Sequence, residues 1–229
     1  MSIDYRGWKH VFKLDPDKPI DDLALERICE SGTDAVIVGG TTGVTFDNTV
    51  ELLSRIRRFE VPCVLEVSNQ EAIVPGFDLY FIPVVLNAGD PEWIVGHHRR
   101  AIEQYGPLMP WDQIIPEGYI ILNADCSAAK VTKAQTEIGA EGLAAFARMA
   151  DRLFRFPVFY IEYSGRFGDM ELVKKTASLL TSARLFYGGG IDGAETARQA
   201  KQAAHTIVVG NVIYENLERA LDTVRAIQG

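Results

Sequence analysis

Short apolar, β-branched segments alternate with amphipathic ones along the whole chain, and no other feature of the sequence restricts the fold as strongly. HVFKLD (10–15), DAVIVGG (34–40), CVLEVS (63–68), DLYFIPVVL (78–86), GYIILN (118–123), VFYIEYS (158–164), RLFYGGG (184–190) and TIVVGN (206–211) read as strands. Their near-continuous apolar runs suit strands of a parallel sheet covered on both faces. Residues 21–32, 47–59, 91–106, 141–154, 169–182, 193–204 and 212–228 read as helices. Leu52, Leu53, Ile56 and Phe59 share one helical face, and 91–106 is framed by Pro91 and Gly106. Only residues 69–77, including Pro75 and Gly76, separate the third and fourth strands. The third helix is therefore expected to be reduced or missing. The pattern predicts the α/β class: a single (β/α)8 TIM barrel, modified at that helix, covering 1–229 as one domain. The length of 229 residues suits one such barrel, which usually takes roughly 200–250.

Composition removes several function classes. With 31 acidic and 23 basic residues the net charge is −8, which argues against nucleic acid as a partner. The opening MSIDYRGWKH has no apolar core of a signal peptide, and no apolar run approaches the roughly 20 residues that span a bilayer. Membrane contact is expected to be peripheral at most. Cys29, Cys63 and Cys126 are odd in number and widely spaced, without a CxxC pair. They read as reduced, non-catalytic thiols of a cytoplasmic protein. His10, His97, His98 and His205 read as structural or solvated, with His97 and His98 mid-helix, and Trp8, Trp93 and Trp111 as packing residues.

Barrel chemistry sits where strands end, so the strand C-termini carry the functional expectation. The sixth, seventh and eighth strands run into Tyr160-Ile161-Glu162-Tyr163-Ser164-Gly165, Tyr187-Gly188-Gly189-Gly190 and Val209-Gly210-Asn211. Glycines allow close backbone approach and leave N–H groups pointing at an anion, so these three ends together predict a phosphate cradle. Across the ring, Lys13-Leu14-Asp15 and Gly39-Gly40-Thr41 end the first two strands. Strand alternation turns Lys13 and Asp15 the same way, into the mouth. A lysine, a carboxylate and a hydroxyl suit a diphosphate held with Mg2+, although a structural Lys13–Asp15 ion pair would also explain the first strand. Glu162 needs a partner or a task inside a packed barrel, and a general-base role is one; Glu66 is a weaker candidate of the same kind. These residues also leave open a sugar-phosphate aldolase or isomerase, with Lys13 as a Schiff-base amine, and a non-catalytic phosphate-binding barrel.

WKHVFKLDP, DAVIVGG, VPCVLEVS, EAIVPGFDLYFIP, FYIEYSG, LFYGGGI and VVGNVIYEN together resemble the bacterial PcrB family. Its members are heptaprenylglyceryl phosphate synthases, related to archaeal geranylgeranylglyceryl phosphate synthases. The resemblance runs from Trp8 to Asn216. It implies a barrel without its third helix and a prenyltransferase activity. A long prenyl group, heptaprenyl (C35), would pass from its diphosphate to the 3-hydroxyl of sn-glycerol 1-phosphate. It also implies roles: Lys13 on glycerol phosphate, Asp15 and Thr41 on Mg2+, and Tyr160, Ile161, Glu162, Tyr163, Ser164, Gly165, Gly190, Gly210 and Asn211 around glycerol phosphate. Many relatives carry serine where Thr41 stands, and both hydroxyls can ligate magnesium. Ala101 is implicated in prenyl-chain length, and a homodimer is implied by the same resemblance.

Overall fold

The computed structural model describes residues 3–228. Eight parallel strands close in sequence order: β1 (His10–Leu14), β2 (Ala35–Val38), β3 (Cys63–Glu66), β4 (Leu79–Val85), β5 (Ile114–Ile121), β6 (Val158–Glu162), β7 (Arg184–Gly188) and β8 (Thr206–Val209), with β8 pairing back to β1. Around them lie α1 (Asp22–Cys29), α2 (Phe46–Ile56), α3 (Gly96–Tyr105), α4 (Ser127–Thr132), α5 (Ala140–Arg148), α6 (Met170–Ala177), α7 (Ala194–Ala203), α8 (Val212–Glu215) and α9 (Leu217–Gln228). The expected modified barrel is what forms. Between β3 and β4 there is only a 3-10 turn, Gln70–Ala72, in place of the third helix.

Several boundaries differ from the sequence reading, each for a local reason. β5 begins at Ile114 rather than 118, and so includes Pro116 and Glu117. Proline is tolerated there because β6 begins opposite Glu117, leaving Pro116 with a neighbouring strand, β4, on one side only. Residues 91–106 split into a 3-10 turn at Pro91–Trp93 and α3, which places His97 and His98 in its first turn rather than mid-helix. The polar stretch before α5 contains α4, which ends at Lys133 in a left-handed conformation. α5 continues as a wider π-type turn over Met149–Phe154. The expected helix over 212–228 breaks at Asn216, whose backbone is extended and whose side chain accepts the Arg219 N–H at 3.1 Å. Asn216 therefore caps α9.

Alternation along the strands produces two cores. Phe12, Leu14, Val36, Val38, Ile161 and Tyr187 face outward and pack against the helices. Val11, Ile37, Val64, Phe81, Tyr160, Phe186 and Val208 fill the barrel. His10 is buried between the Thr33 and Thr223 hydroxyls at 3.0 and 2.8 Å, and burial lowers its pKa to about 3, so it is a neutral structural histidine. Trp8 is a core residue as expected, but Trp111 is 55% exposed.

One polar side chain stands out in the barrel. Glu117 is fully buried, and neither carboxyl oxygen has a hydrogen-bond partner among the described residues. Burial raises its pKa well above the ordinary 4.5, reinforced by Glu66 and opposed by Lys13. A carboxyl that holds its proton more tightly folded than unfolded costs the fold stability as pH rises above its unfolded value. Glu117→Met should accordingly stabilise the protein at pH 7.5 by about 1–3 kcal/mol. Urea denaturation across pH should show this gain shrinking as pH falls toward 4.5. A variant less stable than the parent at pH 7.5 would mean that the carboxyl is compensated in the fold.

Candidate active site

The strand C-termini surround a cavity of about 770 Å3. Lys13, Asp15, Thr41, Tyr160, Glu162, Ser164, Gly165, Gly190, Gly210 and Asn211 all line it, so ten of the residues singled out from sequence meet at one opening. Ile161 and Tyr163 do not line it; their side chains turn outward into the barrel–helix core, as alternation from Tyr160 and Glu162 requires. Ala101 also lies outside the wall, half-buried on α3.

The charged centre is built inside the barrel. Lys13 forms an ion pair with Glu66, not with Asp15, and its ammonium lies 6.0 Å from the centre of the Tyr160 ring. Burial disfavours the Lys13 ammonium, yet Glu66, Glu162 and Glu117 outweigh it and hold its pKa above the ordinary lysine value. Glu162 accepts the Tyr119 hydroxyl at 2.9 Å and the Ser164 N–H at 2.6 Å. Burial raises its pKa above the usual carboxylate range, against the opposing pull of Lys13 and those hydrogen bonds. Tyr119 stacks on Tyr160 with ring centres 4.5 Å apart, and the buried Tyr160 hydroxyl has no partner among the described residues. Tyr119, Glu117 and the pairing role of Glu66 escaped the sequence reading.

The glycine-rich loops are fixed by specific ties. Tyr187 accepts the Gly168 N–H at 2.8 Å and donates to the Gly189 carbonyl at 2.9 Å, joining the loops after β6 and β7. Asn123 donates to the Ser164 carbonyl at 2.7 Å. Gly190 has φ +58°, and a Cβ there would collide with the backbone of Phe167, so the loop pair packs only with glycine. Among the described residues, the N–H groups of Gly189, Gly190, Gly210 and Asn211 donate to no protein acceptor. They form the donor side of the mouth.

On the facing side, the Asp15 carboxylate lies against Gly40, next to Thr41, and accepts the Asp17 N–H at 3.1 Å. Tyr214 receives the Asp15 N–H at 2.8 Å and so holds that strand end. Lys18, also unanticipated, reaches the Asn211 side chain at 3.3 Å. No group of three or more His, Cys, Asp or Glu side chains suited to a metal occurs among the described residues. One carboxylate and one hydroxyl beside an anion cradle fit Mg2+, which takes few protein oxygens and completes its shell with phosphate oxygens and water.

The remaining wall is apolar. Pro83, Val85, Trp93, Ile121, Ala128 and Val131 line the cavity from the β4, β5 and α4 side. Trp93 thus belongs to the cavity, and Cys126, also on it, caps α4 by accepting the Ala129 N–H at 3.3 Å. His98 contacts the Pro83 carbonyl at 3.1 Å, which docks α3 beside this wall. No helix among the described residues is long and apolar enough to cross a membrane.

Comparison with known proteins agrees with the barrel fold. The heptaprenylglyceryl phosphate synthase of Bacillus licheniformis is 58% identical over 226 residues, covering 99% of each chain. That of Geobacillus kaustophilus is 56% identical over 223 residues, covering 97% of this chain and 93% of its own. Among solved structures, the (S)-3-O-geranylgeranylglyceryl phosphate synthase of Thermoplasma acidophilum, in complex with sn-glycerol-1-phosphate, superposes with a TM-score of 0.85 at 26% identity, covering 97% of this chain and 94% of that one. The PcrB family model matches residues 3–228, and the chain belongs to the PcrB family.

Proposed function

We propose that this protein transfers a prenyl group from prenyl diphosphate to the 3-hydroxyl of sn-glycerol 1-phosphate, forming an ether and releasing pyrophosphate. Heptaprenyl (C35) is the proposed tail and Mg2+ the proposed cofactor. The observation that carries this reading is a single cavity with two unlike walls: free amides, hydroxyls and Lys13 on one side, and Pro83, Val85, Trp93, Ile121, Ala128 and Val131 on the other. A phosphorylated polar acceptor and a long hydrocarbon need such a pair of surfaces.

The chain's residues then divide the work. The amides of Gly190, Gly210 and Asn211, with the Ser164 hydroxyl, hold the glycerol phosphate as an anion. Lys13, kept protonated by its carboxylates, adds a fixed positive charge. The unpartnered Tyr160 hydroxyl is available to a glycerol oxygen. Glu162, oriented by Tyr119 and Ser164, accepts the proton of the attacking 3-hydroxyl as the C–O bond to the prenyl carbon forms and the diphosphate departs. Asp15 and Thr41 would hold Mg2+, which when bound neutralises charge on the diphosphate leaving group. Confining both reactants in one cavity replaces a bimolecular encounter.

A Schiff-base aldolase would need a neutral lysine amine. Lys13 sits among three carboxyl groups that favour its ammonium, which weighs against that alternative. The barrel also superposes on an Escherichia coli aldolase, but at 16% identity and TM-score 0.55 that likeness concerns the fold alone. A cytoplasmic homodimer belongs to the same proposal; exposed Val95, Ile102, Leu108 and Trp111 offer apolar surface to a second copy.

Glu162→Gln should lower kcat by roughly 10²–10⁴ while leaving glycerol phosphate affinity nearly intact. The base must be ionised, so the parent's kcat/KM falls as pH drops through the raised Glu162 pKa. That acid limb, set above the ordinary 4.5, should vanish in the variant. Unchanged turnover and pH profile would remove the base assignment. Turnover should stop in EDTA and return with Mg2+. Asp15→Asn should raise the Mg2+ requirement by at least the roughly 10–100-fold that loss of even an outer partner costs. Metal-independent product formation, measured with radiolabelled glycerol phosphate, would contradict this. Ala101 stands one turn after His98 on the same face of α3, beside the apolar wall. Ala101→Trp should shift preference toward shorter prenyl diphosphates, and an unchanged C20-to-C35 profile would exclude it from chain-length control.

A further inference from the structure

The opposite end of the barrel gathers more positive charge than the carboxylates beside it, Asp4 and Asp34, offset. Arg184 opens β7, His205 immediately precedes β8, Lys9 immediately precedes β1, and Lys201, in the last turn of α7, has Arg184 and Lys9 as charged neighbours. These three strands are neighbours, so their starting residues lie side by side. The Ile207 N–H donates to the Lys9 carbonyl at 3.0 Å and the His205 N–H to the Leu185 carbonyl at 3.1 Å, which fixes the register. Arg6 reaches the same spot by donating to the Ser182 carbonyl at 2.5 Å. Among the described residues, Arg6, Lys9, Arg184 and Lys201 form no ion pair.

The two carboxylates nearby are engaged with main chain. Asp34 accepts the N–H groups of Lys9 and His10 at 2.6 and 3.0 Å, and Asp4 accepts the Arg6 N–H at 3.1 Å. The Arg184 Nε is buried without an acceptor among the described residues. A buried, charged donor left unmade is costly, and the N-terminal face of a barrel ordinarily serves stability. Four mutually repelling cations do the reverse, in a chain of net charge −8. Their mutual repulsion is felt: burial and the neighbouring cations lower the pKa of both Arg184 and Lys201.

We propose that this cluster is a binding site for a phosphate-type oxyanion, on the face of the barrel opposite the candidate active site. Arg184 and Arg6 supply guanidinium donors and Lys9 and Lys201 supply ammonium groups; four cations against Asp4 and Asp34 leave an excess of two positive charges, which a doubly charged oxyanion would balance. His205 completes the donor set. Its Nδ1 accepts the Leu185 N–H at 2.8 Å, so in the neutral ring the proton resides on Nε2, which is left to donate.

The same residue reports on the site. The full chain, with 15N-labelled histidine, is titrated with inorganic phosphate at constant ionic strength without divalent metal. His205 resonances are assigned by their disappearance in His205→Asn. The expected result is a saturable shift at His205, with His97, near the active-site mouth, following a separate curve. Arg184→Gln with Lys201→Gln should weaken the His205 response roughly tenfold or more. If that double variant does not fold, Lys9→Gln with Lys201→Gln replaces it and should weaken the response in the same direction. Absence of a saturable response, or an equal response in the folded variant, overturns the proposal. Vesicles of phosphatidylglycerol form a second arm. Perturbation by vesicles with none by free phosphate would assign the cluster to a lipid surface and overturn the free-anion reading.

Discussion

The interior of the barrel is organised around one buried ammonium. Lys13 lies where it contacts Glu66 directly and feels Glu162 and Glu117, and it stays charged only because the carboxyls outweigh its desolvation. The dependence runs both ways. Three carboxyls could not share that volume without a cation, and Glu117, with no hydrogen bond of its own, is forced toward its neutral form. Below this layer the barrel is filled by Val11, Val64, Phe81, Phe186 and Val208. Truncating Lys13 or Glu66 would leave the other charged and unpaired, whereas Glu117, which pairs with neither, can be replaced without that cost.

The mouth above that cluster is held by hydroxyls and amides rather than by charge. Tyr187 ties the loops after β6 and β7, Asn123 ties the loop after β6 to β5, and Tyr214 anchors the end of β1 from α8. Each tie spans two strand ends, so the free amides at Gly189, Gly190, Gly210 and Asn211 are oriented before any ligand arrives. Donors already in place reorganise little during reaction, which is the source of most electrostatic catalysis.

Sequence periodicity was enough to read the closed barrel, the lost third helix and the meeting of Lys13, Asp15, Thr41, Glu162 and the glycine loops, because all follow from strand order and alternation. The same alternation, applied strictly, would have turned Ile161 and Tyr163 outward. Glu117 was hidden because Pro116 beside it looks like a break; only the late start of β6 makes that proline permissible. The apolar wall was hidden for a different reason. Pro83, Trp93, Ile121 and Val131 come from separate elements, and no local pattern marks side chains that converge through the packing of α3 and α4 on β4 and β5. Likewise the partner of Lys13 is Glu66, distant in sequence, rather than Asp15, two residues away.

The distribution of charge bears on how such a barrel would take anionic reactants. Asp15, Asp17, Asp125, Asp192 and Glu215 share the mouth with only Lys13 and Lys18. The long-range field there is therefore not an attractive one for a diphosphate, and the cations on the far face do nothing to correct it across the width of the barrel. On the proposed reading, affinity for phosphate comes from short-range contacts: amide dipoles at the loop glycines, and a divalent cation that would neutralise Asp15 and diphosphate together. On the proposed reading, acidic side chains at the opening thus create the requirement for the metal. They also explain why the glycine loops, rather than a ring of lysines, form the cradle.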